Sequence, residues 1–166
     1  MTIVLADADS PFRDRLKKRL EKIAGVNVVG ESLDSEESAA MILNRKPDIA
    51  ILNSSLRDGS GIDVLRHIKQ LMIPPTIIAV TDDPSDNNKN TYSAAGADFI
   101  IDKTTEDHKI INAVRLLCMP KGQIESLDSS FATFDKYSTF HLGRRHIPYE
   151  ISTVIRIDRL PPRRLG

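Results

Sequence analysis

Five short apolar runs alternate with five stretches of helical periodicity, and this alternation limits the fold more than any other feature of the chain. The runs cover residues 3–6, 26–29, 49–52, 76–80 and 99–101. Runs that are apolar throughout, with no polar residue at every second position, belong to strands covered on both faces. Strands that return through helical crossovers lie parallel. The expected architecture is therefore α/β, a doubly wound five-stranded parallel sheet.

Local signals place the helices between the runs. Ser10 and Pro11 open the first, a capping hydroxyl followed by proline at the first helical position. Its buried stripe is Phe12, Leu16, Leu20 and Ile23, spaced by three and four, and Gly25 closes it. Asp34-Ser35-Glu36-Glu37 reads as a capping-box variant starting a helix that buries Ala40, Ile42 or Leu43. Arg57-Asp58-Gly59-Ser60-Gly61 is a turn before a helix carrying Ile62, Leu65, Ile68 and Leu71, which Pro74-Pro75 ends. A polar loop and a weak helix lead to Gly96. Thr104 or Thr105 caps the last helix, with Ile110, Val114 and Leu117 along one side.

The 166 residues hold one ordinary domain and an extension. Charge cancels over the whole chain but not along it. Residues 1–119 carry 15 Lys/Arg against 18 Asp/Glu, and residues 120–166 carry 8 against 5. The pattern breaks at Pro120, so the expected division is a domain over 1–119 and an irregular extension over 120–166, partly disordered or docking, with a candidate strand at 149–157. Six arginines of the extension could meet phosphates, but its aromatic residues are not interleaved with them and acids are mixed in, so nucleic acid is not the expected partner. The single cysteine, Cys118, excludes an internal disulfide framework and reads as an apolar filler on a helix. No signal peptide and no run near the roughly 20 residues of a membrane span is visible, which points to a cytoplasmic protein. The four histidines show no metal-ligand spacing, and Asp82, Asp83 and Asp86 lack the glycine and closing glutamate of a calcium loop.

In an open parallel sheet, ligands bind beyond the carboxyl ends of the strands. Polar residues collect there: Asp7, Ala8 and Asp9 after the first run, Asn53 and Ser54 after the third, Thr81 and Asp82 after the fourth, Asp102 and Lys103 after the fifth. With the stretches Val4-Leu5-Ala6-Asp7, Pro47-Asp48-Ile49-Ala50-Ile51-Leu52-Asn53, Asp58-Gly59-Ser60-Gly61, Ala79-Val80-Thr81, Ala94-Ala95-Gly96-Ala97-Asp98 and Asp102-Lys103-Thr104, residues 1–118 resemble the receiver domain of two-component response regulators. The resemblance implies a flavodoxin-like sheet of strand order 2-1-3-4-5. It also implies a pocket in which two acids after the first strand hold Mg²⁺ and an aspartate ending the third accepts a phosphoryl group. A Thr or Ser and a Lys then contact that group.

Onto that pattern the chain maps Asp7, Ala8, Asn53, Thr81 and Lys103. Two positions depart from it. Ala8 stands for the second acid and Asn53 for the acceptor, while Arg57 replaces a usual proline. A carboxamide has no anionic oxygen with which to attack a phosphoryl donor. Mg²⁺ prefers hard, charged oxygens, and Asp7, with Asp9 turned toward it, is nearly balanced by Lys103. The expectation is a pseudo-receiver: not an enzyme, without a cofactor, with weak or absent Mg²⁺ binding. Lys103 is expected to donate to Asp7 and to the Asn53 carbonyl. An Asn-Ser step can deamidate, which would restore an acid at position 53.

Such a domain acts through protein contacts, with a histidine kinase, a downstream regulator or a second copy of itself as partner. Tyr92, Phe99, Ile101 and Arg115 border the face expected to carry them, with Tyr92 and Phe99 as aromatic anchors. Two alternatives stand beside this reading. One is an ordinary phospho-accepting receiver in an altered form. The other is a DNA-binding regulator working through the basic extension, which salt-dependent DNA binding lost on truncation at Pro120 would mark.

Overall fold

A computed structural model describes residues 1–83, 85–104 and 107–119. The five runs form β1 (Thr2–Ala6), β2 (Asn27–Ser32), β3 (Ile49–Asn53), β4 (Thr76–Thr81) and β5 (Phe99–Asp102). All neighbouring strands pair in parallel, in the order β2-β1-β3-β4-β5. Between them lie α1 (Ser10–Leu20), α2 (Ser35–Arg45), α3 (Gly61–Ile68), α4 (Asp86–Ala95) and α5 (Asp107–Cys118). This is the doubly wound, flavodoxin-like α/β fold. β3, β4 and β5 each run one residue beyond their apolar stretch, so Asn53, Thr81 and Asp102 sit inside the ladder, with Asn53 paired to Val80 and Thr81 to Asp102.

Side chains alternate across the sheet and feed two apolar layers. Ile3, Leu5, Ile49, Ile51, Ile78, Val80, Phe99 and Ile101 meet α1 and α5, through Phe12, Leu16, Leu20, Ile110 and Val114. Val4, Ala6, Ala50, Leu52, Ile77, Ala79 and Ile100 meet α2, α3 and α4, through Ile42, Val64, Leu65, Ile68 and Tyr92. A central strand buried on both sides needs no alternation in its sequence, and every residue of β3 is buried.

The helix starts differ from the sequence reading in two places. α1 is capped by Asp9, whose carboxylate accepts from the Phe12 amide at 3.2 Å, while Ser10 is already helical. An aspartate fits the positive end of a helix better than a hydroxyl does. At α2 the Asp34 side chain makes no capping bond. Asp58, on the loop after β3, reaches across to accept from the amides of Ser35 at 2.5 Å and Glu36 at 3.4 Å. α2 buries Ser38 and Ile42, with Ala40 exposed and Leu43 at the surface. Among the described residues no helix is long and apolar enough to cross a membrane. Thr105 and everything from 120 onward, including the candidate strand at 149–157, lie outside the described residues.

Candidate functional site

The carboxyl ends of β1, β3, β4 and β5 converge on one edge of the sheet, beside the reversal of strand order between β1 and β3. Asp7 leaves β1 there with 1% exposure, and its amide continues the ladder to Ser32 O at 3.1 Å. Its Oδ1 accepts from the Asp9 amide at 2.8 Å and from Lys103 Nζ at 3.1 Å. Oδ2 has no aligned donor, and its charge is met by the same ammonium at 3.0 Å. Lys103 Nζ also lies 3.3 Å from Asp9 Oδ2 and 4.4 Å from the centre of the Phe12 ring. The ammonium is thus enclosed by two carboxylates and an aromatic face, in a side chain only 8% exposed.

Asp9 does two things at once. The Phe12 amide it caps holds its carboxyl below the ordinary aspartate value; burial opposes that lowering, and Lys103 adds to it. Arg13 braces the turn from beneath, donating to Asp7 O at 2.6 Å and to Ser10 Oγ at 3.2 Å. Its Nε stands 3.5 Å from Glu31, which also pairs with Lys17 and raises that lysine's pKa. Ala8 is exposed and offers no ligand atom.

Asn53 ends β3 with 3% exposure, and its Oδ1 receives a long 3.4 Å bond from Ser54 Oγ. Among the described residues the Lys103 ammonium goes to Asp7 and Asp9, and the expected bond to the Asn53 carboxamide is not made. Asp9 has taken that place, because a carboxylate outcompetes a neutral oxygen for an ammonium. The Asn53 main-chain carbonyl is covered by Gly61: a Cβ there would lie 1.9 Å from the oxygen. Only glycine allows α3 to begin so close to β3. Deamidation requires the Ser54 nitrogen to attack the Asn53 side-chain carbonyl. That nitrogen is tied in the ladder to Val80 O at 2.7 Å, which opposes ring closure.

The loop from Ser54 to Ser60 is fastened to α2. Besides the Asp58 cap, the Arg57 amide donates to Leu33 O at 3.0 Å and its Nε stands 3.8 Å from Asp34 Oδ1. Arg57, where the resemblance leads one to expect proline, so contributes an N–H hydrogen bond that proline could not donate. The Ser35 amide is the main cause of an Asp58 pKa below the ordinary value.

Thr81 is engaged elsewhere. Its hydroxyl donates to Asp83 O at 3.1 Å and accepts from the Asp83 amide at 3.0 Å and from Asn88 Nδ2 at 2.8 Å. One donor and two acceptor positions are all a hydroxyl has, so none remains for a group beside Asn53. The sequence carried no sign of Asn88, because nothing about one asparagine on a polar helix marks which way it reaches. Asp9, two positions after Asp7, was the legible one.

Of the face drawn from Tyr92, Phe99, Ile101 and Arg115, only Arg115 is exposed. Tyr92 (2% exposed), Phe99 (6%) and Ile101 (3%) lie in the core. Tyr92 is therefore not a surface anchor. Burial pushes its phenol pKa up, with the Ser60 side chain opposing that rise. It supports α4 from beneath.

Comparison with known proteins adds the family. The model of the response regulator receiver domain matches residues 3–115. The phosphate regulon transcriptional regulatory protein PhoB of Pseudomonas aeruginosa is 28% identical over 127 residues, 75% of this chain and 55% of its own length. The transcriptional regulatory protein LiaR of Bacillus subtilis is 26% identical over 151 residues, 91% of this chain and 70% of its own. The chain spans about half the length of PhoB and about a third of the sensory transduction proteins LytT and LytR. Among solved structures, the CheY-like receiver of Methanospirillum hungatei superposes with a TM-score of 0.63 at 26% identity, covering 70% of this chain and 91% of that one. CheY in the CheX–CheY–BeF3–Mg complex of Borrelia burgdorferi gives a TM-score of 0.65 at 18% identity, covering 72% and 90%. The sheet order, the residues gathered at its carboxyl edge and the family match over two thirds of its length together make this chain a member of the response regulator receiver domain family.

Proposed function

We propose that this receiver is a phosphorylation-independent protein–protein interaction module, a pseudo-receiver. Its partner would be a histidine kinase or a downstream regulator. The observation that carries the reading is Asn53 at the buried end of β3. A carboxylate there would be a nucleophile, whereas a neutral amide oxygen forms no acyl-phosphate.

The closed pairing of Lys103 supports the same reading. Mg²⁺ takes near-octahedral oxygen ligation, normally with one or two carboxylates and its own waters. Here Ala8 supplies no oxygen, Asn53 a neutral one, and the Asp7 and Asp9 carboxylates are within 3.3 Å of the ammonium. A divalent cation entering that space meets a fixed positive charge, so the residues present are a poor fit and no phosphoryl-transfer step is derived through a metal. Residues 120–166 enter the proposal as a separable extension: a chain ending at Met119 should keep the thermal stability of the full chain.

The test is the intact mass of freshly purified protein after incubation with acetyl phosphate and Mg²⁺, run beside an Asn53→Asp, Ala8→Asp double variant. We expect no adduct on the parent and one phosphoryl group on the variant. An adduct on the parent would refute the reading and favour an ordinary phospho-accepting receiver.

A further inference from the structure

The charges of the folded domain are sorted in space. Residues 13–22, on α1 and in the turn after it, hold six basic residues against two acidic ones, and the rest of residues 1–119 holds nine against sixteen. One helix is thus strongly positive on a domain that is otherwise negative. Helical spacing then divides the six between two sides of α1. Arg13 and Lys17 turn toward β2, where Glu31 meets them at 3.5 and 2.5 Å. Arg15 and Lys18, and Lys22 in the following turn, are exposed on the outer side at spacings of three and four, with Arg19 half-buried among them.

α5 packs beside α1 on the same side of the sheet and adds the exposed Arg115 to this surface. The surface so holds five cations against the carboxylates of Asp14 and Glu21. Arg15 is held in position by the Phe12 ring, 5.3 Å from its guanidinium carbon. Among the described residues Lys18, Lys22 and Arg115 form no ion pair. What the surface lacks is as informative. The large apolar side chains exposed on the described residues are Met1, Leu43, Met72 and Ile73, none of them on α1 or α5, and the aromatic rings of Phe12, Tyr92 and Phe99 are buried. Protein partners draw most of their affinity from buried anchor residues, and single strands of nucleic acid are held by stacking on aromatic rings. Neither is offered here. The line of phosphates on a duplex needs only cations, because its binding is driven by release of condensed counterions.

We infer that the outer side of α1, with Arg115 of α5, docks on the phosphate backbone of duplex DNA without reading its sequence. From Arg15 to Lys22 the helix rises about 10 Å, the length of roughly three phosphates on one strand. The acid-rich remainder of the domain orients the encounter, since this is the side that a polyanion attracts and the others are repelled. The inference goes beyond the proposed function and does not depend on the chemistry of Asn53. The composition that argued against nucleic acid was that of residues 120–166, and this surface lies elsewhere and makes no use of stacking.

The experiment is a titration of a short fluorescent DNA duplex with the full chain, read by anisotropy. Between about 50 and 200 mM salt the parent's affinity should fall about fortyfold, as for roughly three phosphates neutralised. The Lys18→Glu, Lys22→Glu variant should lose at least about tenfold in affinity and flatten the salt slope by about two. The neutral Lys18→Gln, Lys22→Gln pair, gentler on the helix, should flatten the slope equally. Arg45→Glu, Arg66→Glu reverses as many exposed charges on α2 and α3 and should bind as the parent does. No binding by the parent, binding retained by the α1 variants, or an equal loss in the α2–α3 variant would overturn the inference. Tighter binding of a single strand, or displacement of the duplex by polyglutamate at equal charge, would overturn the choice of partner. A phosphoryl adduct on the parent would sink the proposed function and leave this result standing, so the two failures are distinguishable.

Discussion

Replacing Gly61 by alanine puts a methyl carbon 1.9 Å from the Asn53 carbonyl oxygen and 2.9 Å from its carbonyl carbon. Real side chains do not approach an oxygen so closely, so the start of α3 and the end of β3 have to part by about 1 Å or more. β3 cannot yield, since it is buried along its whole length between β1 and β4. The movement falls on α3, which loosens the 3.1 Å bond from the Gly61 amide to Ser54 O and the seating of Val64 and Leu65. Overpacking of this kind costs about 1–3 kcal/mol, occasionally more. The helix preference for alanine over glycine returns less than about 1 kcal/mol. The net expectation is a loss of about 2 kcal/mol, or a fall in Tm of roughly 5–10 °C for a domain of this size, measured by urea and thermal unfolding followed by circular dichroism. Gly25→Ala is the control: its φ of +78° is strained for alanine, yet nothing lies within 4 Å, so about 1–2 kcal/mol of backbone strain is all it should show. The assay that separates the two causes is the spectrum of the Asn53 side-chain amide, which moves in Gly61→Ala and not in Gly25→Ala. A Gly61→Ala protein of parental stability with an unmoved Asn53 amide would refute the steric argument.

Three further outcomes follow from the same geometry. Lys103→Met leaves Asp7, 1% exposed, without its counter-charge, and should cost about 3 kcal/mol at neutral pH. Adding Asp7→Asn should recover most of that loss, and strictly additive effects in the double-mutant cycle would show that the pair is not coupled. Asp58 has a folded pKa below its unfolded value, so the stability it adds is present above about pH 4 and is lost as pH falls through the folded pKa. Asp58→Ala should therefore lower Tm at neutral pH and converge on the parent in acid, and a Tm gap that is constant with pH would contradict this. Ageing the protein at mildly alkaline pH should leave Asn53 as asparagine by peptide mass mapping, because the Ser54 nitrogen is held in the sheet. Early conversion at that position would mean that the end of β3 opens readily.

β1, β3, β4 and β5 were legible because burial on both faces writes itself as an unbroken apolar run, and the helices because Phe12, Leu16 and Leu20, or Leu65 and Ile68, repeat at helical spacing; the half-buried edge strand β2 runs on through Gly30 and Glu31 to Ser32, past its apolar stretch. What escaped the sequence depends on rotamers and on contacts between distant segments. Ser10 and Asp9 are both competent caps one position apart, and only the backbone angle at Asp9 selects between them. The Asp34 box was a sound local pattern overridden by Asp58 from another loop. Lys103 was traceable to Asp7, but the choice of Asp9 over Asn53 as its second partner is a competition between two nearby oxygens that no spacing records. Tyr92 looked like a surface aromatic because its neighbours are polar. A helix with one buried residue among its described side chains has no stripe to reveal it.

The distant cap of α2 bears on the order in which the chain assembles. α1, α3 and α4 each take their capping bond from a residue two or three positions away, so those first turns can close as soon as the local chain is in reach. The amide of Ser35 waits for Asp58, 23 residues further along, and loop closure must precede that contact. Kinetic analysis by substitution should then find Asp58→Ala acting mainly on the unfolding rate, with a φ-value near zero, while Asp9→Ala at the start of α1 slows folding itself. In that account the fastening of the β3–α3 loop to α2 is a late event, the step that closes the rim of the site after the sheet is already built.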